Sequence, residues 1–276
     1  MQVRLSLLAA VAAVVAAVGV GLAAPGALQT LAQRTSGIPV DVELVTRSTC
    51  PIRWTEEQSL QREGYIAAIT SREFMQALKQ GMHGKVSMTY FEWAGMHHRE
   101  IIVPWRLIDG PESADAFAAD VARARYTRAS RTSVSGALLF GAALFPGSGY
   151  SGVRRVIDVS GDGVNNNGPL VDLTRDEVLA QGITINGLPI MLKRPNPSTM
   201  DIENLDVYFE DCVIGGPGAF VIPIKARDQF KEAIRTKLVL EIAGLMPEPR
   251  VVPVAARQPR ISCSIGERLW QQRWGN

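Results

Sequence analysis

The residue best suited to metal chemistry in this 276-residue chain is an aspartate between two glycines. Asp162 follows the apolar run VRRVIDVS, which is typical of a buried strand, and it lies in the segment GDGVNNNG. A carboxylate on flexible backbone at the end of a strand suits a hard cation, which prefers oxygen ligands. The same segment is also typical of a simple turn, because Asn and Gly adopt left-handed conformations easily. These residues alone leave both interpretations open.

A second oxygen donor, Thr132, stands at the start of the apolar segment TSVSGAL. A Thr or Ser at such a loop–helix junction usually caps the helix, and its hydroxyl can also coordinate a cation or orient a water on it.

Two serines, Ser135 and Ser160, raise the alternative of a serine hydrolase. A serine nucleophile needs a histidine base. The chain has no Gly-x-Ser-x-Gly motif and its three histidines lie in predicted turns, so the sequence favours a non-enzymatic protein.

The composition is that of a globular protein without a dedicated nucleic-acid surface. Hydrophobic residues make up 46% of the chain and charged residues 20%, which allows a sizeable core. Lys and Arg number 29 against 27 Asp and Glu, and this near balance argues against nucleic acid as a partner. Three cysteines and three histidines are too few for a zinc ribbon or a disulfide-dense scaffold.

The first residues are typical of an export signal. Arg4 is the only charged residue before Arg34, and the stretch LSLLAAVAAVVAAVGVGLAA lies between them. A basic start followed by an apolar run and small residues predicts a signal peptide over residues 1–32. We therefore expect the mature protein to be periplasmic or extracellular. It would contact a membrane only if this segment stays uncleaved as an anchor, since about 20 apolar residues can span a bilayer.

Strand and helix patterns alternate along the rest of the chain. Periodicity predicts strands at 40–45, 85–93, 100–105, 153–160, 183–190 and 219–224, and helices at 55–78, 109–126, 132–144, 170–181 and 227–243. Such alternation predicts a doubly wound α/β fold, with a mostly parallel sheet and helices on both faces. In these folds ligands bind in loops at the carboxyl ends of the strands, which is where Asp162 and Thr132 are expected.

We expect one domain over residues 38–246, with a polar, proline-containing insertion at 191–207. Residues 247–276 form a proline-containing tail that we expect to pack on the outside of the domain. Trp270 and Trp274 in this tail are four residues apart. That spacing predicts a terminal helical turn with both rings on one face.

Seven segments in order resemble a known domain. They are VDVELV, LQREGYIAAI, VSMTYFEWAG, TSVSGAL, RRVIDVSGDGVNNNG, GITINGLPI and DCVIGGPGAFVIPI. Together they resemble a von Willebrand factor A-type domain and, more closely, a family of exported bacterial proteins of unknown function built on that domain. The resemblance runs from Val40 to about Gly244 and continues into the tail.

The resemblance implies a metal-ion-dependent adhesion site built from three loops. The first loop carries Asp-x-Ser-x-Ser, the second a Thr and the third an Asp. Matched to this chain, Thr132 belongs to the second loop and Asp162 to the third. Such a site holds one cation, usually Mg²⁺, and leaves a coordination position open for a carboxylate of a partner protein. The implied function is a secreted protein-binding module whose partner the sequence does not identify.

The first loop departs from the family's pattern. After Val45 the chain reads TRSTCPIRW, residues 46–54, with no acidic residue. With fewer carboxylate ligands we expect Mg²⁺ to bind weakly or not at all. A shifted reading frame over residues 47–54 would restore LDVSHSVD and thus the missing motif, so a frame error and true divergence both remain open. If the loop is as written, the alternative is a metal-free structural or interaction protein.

Two cysteines outside that loop are candidates for a disulfide. If Cys50 results from a frame error, Cys212 and Cys263 remain. An exported protein with two distant cysteines favours one bridge, which would tie the tail to the segment before the last predicted strand. Two free, buried thiols are the alternative.

Overall fold

The computed structural model describes residues 37–49, 55–127, 129–192, 201–244 and 259–275. The predicted signal peptide, residues 1–32, and residues 50–54 of the first candidate loop lie outside the described residues. In the described part of the chain, no helix is long and apolar enough to cross a membrane.

A five-stranded sheet forms the centre of the described structure, in the order β3-β2-β1-β4-β5. Strand β1 pairs in parallel with β2 and β4, β4 pairs in parallel with β5, and β3 runs antiparallel to β2. The strands are β1 (Ile38–Thr49), β2 (Val86–Trp93), β3 (Arg99–Ile108), β4 (Tyr150–Gly161) and β5 (Ile183–Pro189). The predicted mostly parallel sheet is confirmed.

Helices cover both faces of this sheet, as predicted. They are α1 (Thr55–Ile69), α2 (Arg72–Gln80), α3 (Pro111–Arg123), α4 (Val134–Leu144), α5 (Val171–Leu179), α6 (Leu205–Tyr208), α7 (Phe230–Ala243) and α8 (Ile265–Trp274). One apolar core joins the sheet to α1, α2, α3 and α7. The other joins the opposite face to α4, α5 and α6. The parallel strands therefore end together at one edge, where the candidate loops lie.

Three expected elements differ from the sequence prediction. The helix expected over 55–78 is two helices, because Ser71 caps α2 by accepting a hydrogen bond from the Phe74 amide at 3.1 Å. The strand expected at 219–224 makes only isolated bridges, through Val221 and Ile224, in the described residues. Helix α6 begins at Leu205, inside the expected polar insertion 191–207, of which residues 193–200 lie outside the described part.

The described part of the tail packs on the domain, as expected. Cys212 and Cys263 form the predicted disulfide, 51 residues apart in sequence, and both are buried in the core that contains α4 and α5. In the terminal helix α8 the rings of Trp270 and Trp274 stack with centroids 4.2 Å apart. The bridge thus fixes the start of α8 to the body of the domain.

A buried ionic network lies between β4 and α7. The ammonium of Lys237 is 2.5 Å from carboxylate oxygens of both Asp158 and Glu241, and all three side chains are fully buried. Asn186 donates to Glu241 at 2.9 Å, and the Tyr65 hydroxyl donates to Asp158 at 2.8 Å. Burial raises the pKa of Glu241 to about 7, although Lys237 opposes that shift. Two carboxylates with one ammonium would leave a buried net charge, and protonating Glu241 removes it.

This network predicts a specific pH dependence of stability. Because the pKa of Glu241 is higher in the folded than in the unfolded protein, its contribution to the free energy of unfolding is complete below about pH 4.5 and is lost as the pH rises through about 7. Glu241→Gln should remove this dependence, so that wild type loses about 3 kcal/mol relative to the variant between those pH values. Urea unfolding of both proteins at several pH values measures the difference.

Comparing the two proteins cancels the titration of carboxylates that lie outside this network. Parallel stability curves for wild type and Glu241→Gln would show that Glu241 titrates alike in the folded and unfolded states, contrary to this account.

Candidate functional site

The structure brings the second and third candidate loops together at the carboxyl edge of the sheet. Strand β4 ends at Gly161, so Asp162 and Gly163 lie just beyond it. A β-carbon built on Gly163 would lie 3.4 Å from the hydroxyl oxygen of Thr132. Thr132 and Asn166 also form two hydrogen bonds, from the Thr132 amide to the Asn166 side chain at 2.9 Å and from the Asn166 amide to the Thr132 carbonyl at 2.8 Å. The two loops therefore form one unit.

The helix cap belongs to Ser133 and not to Thr132, contrary to the sequence expectation. The Ser133 hydroxyl accepts a hydrogen bond from the Gly136 amide at 3.1 Å, and α4 begins at Val134. Thr132 precedes the cap, and its hydroxyl faces Gly163 instead. The Thr132 hydroxyl is thus not used to cap α4 and lies next to the third loop. This position is consistent with a hydroxyl that donates a lone pair to a cation.

Asn165 connects the third loop to three helices. Its side-chain oxygen accepts hydrogen bonds from the Ser135 amide at 3.0 Å and from the Ser135 hydroxyl at 3.1 Å. Its side-chain nitrogen donates to Glu267 of α8 at 2.7 Å and to the Pro169 carbonyl at 3.0 Å. Its backbone amide donates to the hydroxyl of Tyr208 at the end of α6, at 3.1 Å. All four hydrogen-bonding positions of this buried amide side chain are thereby used.

Asn167, the last of the three asparagines, holds the turn between β2 and β3. The Asn167 side-chain oxygen accepts a hydrogen bond from the Met96 amide at 2.8 Å, and the Ser133 hydroxyl contacts the Met96 sulfur at 3.5 Å. The run Asn165–Asn167 therefore bonds to several segments: Asn165 to three helices, Asn166 to Thr132, and Asn167 to the turn between β2 and β3. A plain, solvated Asn/Gly turn is not what the structure contains.

Helix α8 packs directly against the third loop. A β-carbon on Gly266 would lie 1.9 Å from the Asn165 carbonyl oxygen, so no side chain fits there. The guanidinium of Arg131, next to Thr132, stacks 4.1 Å from the centre of the Trp270 ring. Three residues before Cys263, Arg260 forms ion pairs with both Asp211 and Glu210. The tail is therefore part of the loop arrangement.

Burial shifts the acidity of groups around Asn165. It raises the pKa of Glu267, and the nearby Asp172 adds to the shift. Burial also raises the pKa of Tyr208. Burial works in the same direction on Asp211, but hydrogen bonds from Arg260 outweigh it and lower the pKa of that carboxyl. Tyr208 thus keeps its proton at neutral pH, and Asp211 stays ionised to hold the tail.

A buried ion pair fixes the segment that leads into the second loop. Arg62 of α1 contacts Glu92 at the end of β2, at 2.7 Å, and both side chains are almost fully buried. The same guanidinium donates to the carbonyl oxygens of Ala124 and Arg125 at 2.6 and 2.9 Å. The ring of Tyr126 covers the guanidinium of Arg62, which lies 4.2 Å from the centre of that ring. The course of the chain from α3 towards Thr132 is set by this contact.

A partly enclosed cavity of about 210 Å³ lies beside Asp162. Its described lining is Asp162, Ile190, Met191, Asp201, Ile202, Glu203, Leu205 and Lys225. Lys225 is 3.1 Å from Asp206 at the same edge. The cavity combines carboxylates with apolar side chains, so it could admit a short polar segment of a ligand next to the third loop.

The described residues fit a cation in the kind of donor but not in the number of donors. Thr132 and Asp162 supply a hydroxyl and a carboxylate on adjoining loops, which are ligands that Mg²⁺ accepts. In the part of the chain that the structure describes, no three His, Cys, Asp or Glu side chains form a metal-binding group. The side chains of residues 47–56, where the first loop would contribute, lie outside the described residues. The binding of Mg²⁺ by Thr132 and Asp162 therefore stays a prediction.

The two serines of the hydrolase alternative contact amide side chains. The Ser135 hydroxyl is buried and donates to Asn165 at 3.1 Å, whereas Ser160 is buried with its hydroxyl 3.3 Å from the side-chain oxygen of Gln61. An amide cannot act as the general base that a serine nucleophile requires. These contacts give a structural role to both serines.

Sequence reasoning predicted Thr132 and Asp162 as ligands but missed the residues that surround and position their loops. The missed residues are Arg62, Glu92, Arg131, Asn165, Asn166, Asn167, Gly266 and Glu267. The triple asparagine after a strand was a visible signal, because an Asn side chain carries both a donor and an acceptor and can bond two segments at once. Gly266 and Glu267 gave no local signal, since their partners are about 100 residues away in sequence.

Comparisons with known proteins support this description of the fold. Residues 52–246 match the model of a family described as "Protein of unknown function (DUF1194)". A comparison with curated proteins finds no match.

Solved structures with the same fold include three proteins of low identity. A von Willebrand factor type A protein from Catenulispora acidiphila matches with TM-score 0.50 and 13% identity, over 74% of this chain and 43% of its own. The pilus adhesin SpaC from Lactobacillus rhamnosus GG matches with TM-score 0.54 and 11% identity, over 74% and 31%. Proximal thread matrix protein 1 from the mussel byssus, described with a zinc-occupied MIDAS motif, matches with TM-score 0.52 and 12% identity, over 75% and 48%. The chain thus spans less than half the length of each.

The contact between Gly266 and Asn165 predicts that the tail is sensitive to a single methyl group. Gly266→Ala should destabilise the protein by about 1–3 kcal/mol, because the new β-carbon must displace α8 from the third loop. Chemical denaturation measures the loss, and limited proteolysis should cut the tail faster in the variant.

Gly147→Ala is the matched control, since a β-carbon on Gly147 meets no atom within 4 Å. It should change the free energy of unfolding by less than about 1 kcal/mol. Equal effects of the two substitutions would contradict the docking of α8 described above.

Proposed function

We propose that this chain, which belongs to the DUF1194 family of proteins of unknown function, is an exported, non-enzymatic protein-binding module with a cation-assisted site. The von Willebrand factor A-like fold places the candidate loops at the carboxyl edge of the sheet. The cation we propose is Mg²⁺, held by Thr132 and Asp162. The proposed partner is a protein that presents a carboxylate to it.

The observation that carries this proposal is the clamp between Thr132 and Asn166. Two hydrogen bonds of 2.8 and 2.9 Å fix the second loop to the third, and the Thr132 hydroxyl points towards Gly163, next to Asp162. Holding the two loops that carry these oxygen donors together before a cation arrives lowers the entropy cost of binding it. A bound Mg²⁺ would supply positive charge and an open coordination position, to which a carboxylate of the partner can bind.

Export is supported by the disulfide between Cys212 and Cys263, because such bridges form and persist in oxidising compartments. The predicted signal peptide lies outside the described residues. The mussel protein with an occupied MIDAS motif and the pilus adhesin share only the fold with this chain. They make a role in adhesion or protein interaction reasonable to propose.

The first loop determines how strong the cation site is. The family match begins at residue 52, so it leaves out β1 and most of the segment 46–54, in which the motif is expected. This supports the interpretation that the segment departs from the family's pattern here. If it is as written, a metal-free structural or interaction protein is the second candidate, because residues 46–54 then supply no carboxylate to the site.

Thermal melts with and without Mg²⁺ test the proposal in two backgrounds. The chain as written should bind Mg²⁺ with a dissociation constant of about millimolar or weaker, because Asp162 is the only carboxylate among the proposed ligands. Restoring the motif with Ser48→Asp, Cys50→Ser and Ile52→Ser should tighten binding. Mg²⁺ at about 100 times the dissociation constant should then stabilise the folded protein by about 2.7 kcal/mol.

Asp162→Ala should abolish the Mg²⁺ effect in the restored background and change the apo stability by less than about 0.5 kcal/mol. Asp115→Ala, which removes an exposed carboxylate on α3, should keep the full effect. Unfolding of the apo protein by Asp162→Ala would mean that the loop is structural. Equal stabilisation of both variants by Mg²⁺ would place the cation elsewhere.

A further inference from the structure

A lysine and two carboxylates lie in contact inside the apolar core between β4 and α7. The ammonium nitrogen of Lys237 is 2.5 Å from Oδ1 of Asp158 and 2.5 Å from Oε1 of Glu241, and all three side chains are fully buried. Lys237 and Glu241 are four residues apart on the buried, otherwise apolar face of α7, and Asp158 belongs to β4. We name these three residues the Lys–Asp–Glu cluster.

The nitrogen of Lys237 lies close to the carboxyl carbon of Asp158. Oδ1 of Asp158 has no hydrogen-bond partner among the described residues, although Nζ is 2.5 Å from it, so the contact is short without being aligned as a hydrogen bond. Because a carbonyl C–O bond is about 1.2 Å long, Nζ is at most about 3.7 Å from Cγ. Reacting atoms held for attack are about 3–3.5 Å apart, so an amine at Nζ is near the distance for bond formation.

Tyr65 prepares the carboxyl group of Asp158 for attack. Its hydroxyl donates a hydrogen bond to Oδ2 at 2.8 Å. Burial raises the pKa of Tyr65, so its hydroxyl keeps the proton that it donates. A donor fixed on one carboxyl oxygen stabilises the negative charge that collects there when a nucleophile adds to the carbon. Oδ2 therefore suits the oxygen that stays, and Oδ1, next to Nζ, the oxygen that leaves.

Glu241 is placed to move protons between the two groups. Its Oε1 is 2.5 Å from Nζ of Lys237, and Asn186 donates to the same oxygen at 2.9 Å, which fixes the carboxyl group. Burial raises the pKa of Glu241 to about 7. A carboxyl group with a pKa near the working pH can give and take a proton with equal ease, as a general acid–base catalyst must.

We propose that Lys237 and Asp158 become joined by an amide bond between Nζ and Cγ, with Glu241 as the catalytic acid–base. The ammonium passes one proton to Oδ1, which leaves an amine and a carboxylic acid. Nζ then bonds to Cγ, Glu241 gives its proton to Oδ1 and receives one from Nζ, and the Cγ–Oδ1 bond breaks to release water. An ammonium and a carboxylate thus become an amide and one water, with Glu241 unchanged and no other reactant consumed.

The buried position favours this reaction. In water, hydration of the two ions opposes amide formation, but in the core Lys237 and Asp158 have already lost that hydration. Holding the groups together replaces an encounter in solution, an advantage equivalent to about 10⁵–10⁸ M of reactant. Exclusion of water also protects the amide from hydrolysis.

The bond would fasten β4 to α7 four residues before Asp162, and it does not depend on the cation site. The ionic network described for β4 and α7 is the arrangement before the bond forms. Afterwards Glu241 lacks the ammonium that opposed its pKa shift, so its pKa stays raised and the direction of the predicted pH dependence is unchanged.

Peptide mapping by mass spectrometry of the natively purified, reduced full chain tests the bond. Trypsin should release residues 156–175 linked to residues 236–250, about 18 Da lighter than the two peptides together. Cleavage after Lys237 should be absent, because an acylated lysine carries no charge for trypsin to recognise. Lys231, exposed on the same helix, is the internal control and should be cleaved and unlinked.

Glu241→Gln should lower the linked fraction at least about tenfold, because an amide cannot exchange protons as a carboxyl group does. Glu232→Gln makes the same change on the exposed face of α7 and should leave the fraction unchanged. A wild-type chain that yields only unlinked peptides would overturn the proposal, because the cluster would then be an ion pair alone. A link to residues 176–193 with a loss of about 17 Da would also overturn it, since Asn186 would then be the acyl donor. An equal linked fraction in both variants would exclude Glu241 as the catalyst.

Discussion

The side-chain amide of Asn165 bonds to more parts of this molecule than any other group at the candidate site. It joins the third loop to the first turn of α4 through Ser135, to α8 through Glu267 and to its own loop through Pro169. A buried amide is costly to leave unpaired, so each of these elements stays in place only while the others do. The packing of Gly266 against the Asn165 carbonyl belongs to the same arrangement.

Beneath the loops, buried charges support the carboxyl half of the sheet. Arg62 pairs with Glu92 under the segment that leads to Thr132, and Lys237 pairs with Asp158 four residues before Asp162. Such pairs contribute little net stability compared with apolar residues of the same size, but they fix one geometry, because any other leaves a buried charge unpaired. The scaffold therefore specifies the path of the loops, and the apolar cores on both faces stabilise the sheet.

The sequence predicted the fold class because long-range order follows from local periodicity in an α/β protein. The parallel sheet and the carboxyl-edge position of Asp162 were accessible in this way. The disulfide of Cys212 with Cys263 was predicted separately, from the number of cysteines expected in an exported protein. The break at Ser71 was not, since one Ser–Phe74 cap interrupts a continuous helical pattern. The bonds of Asn165 to Glu267 and of Arg131 to Trp270 could not be predicted either, because they join segments that no periodicity relates. The candidate ligands Thr132 and Asp162 were thus predictable from the sequence. The long-range contacts that position their loops became apparent only in the three-dimensional structure.

Amide hydrogen exchange of the metal-free protein tests this positioning most directly. The amides of Met96, Thr132 and Ser135 each donate to the side chain of one asparagine of the run Asn165–Asn167. If these side chains hold the loops in advance of any ligand, the three amides should exchange at least about 100-fold more slowly than in an unstructured peptide, although they lie in turns or at a helix start. Exchange of the three amides at the rate of an unstructured peptide would contradict the account, because the loops would then be open and Asn165 would not hold them.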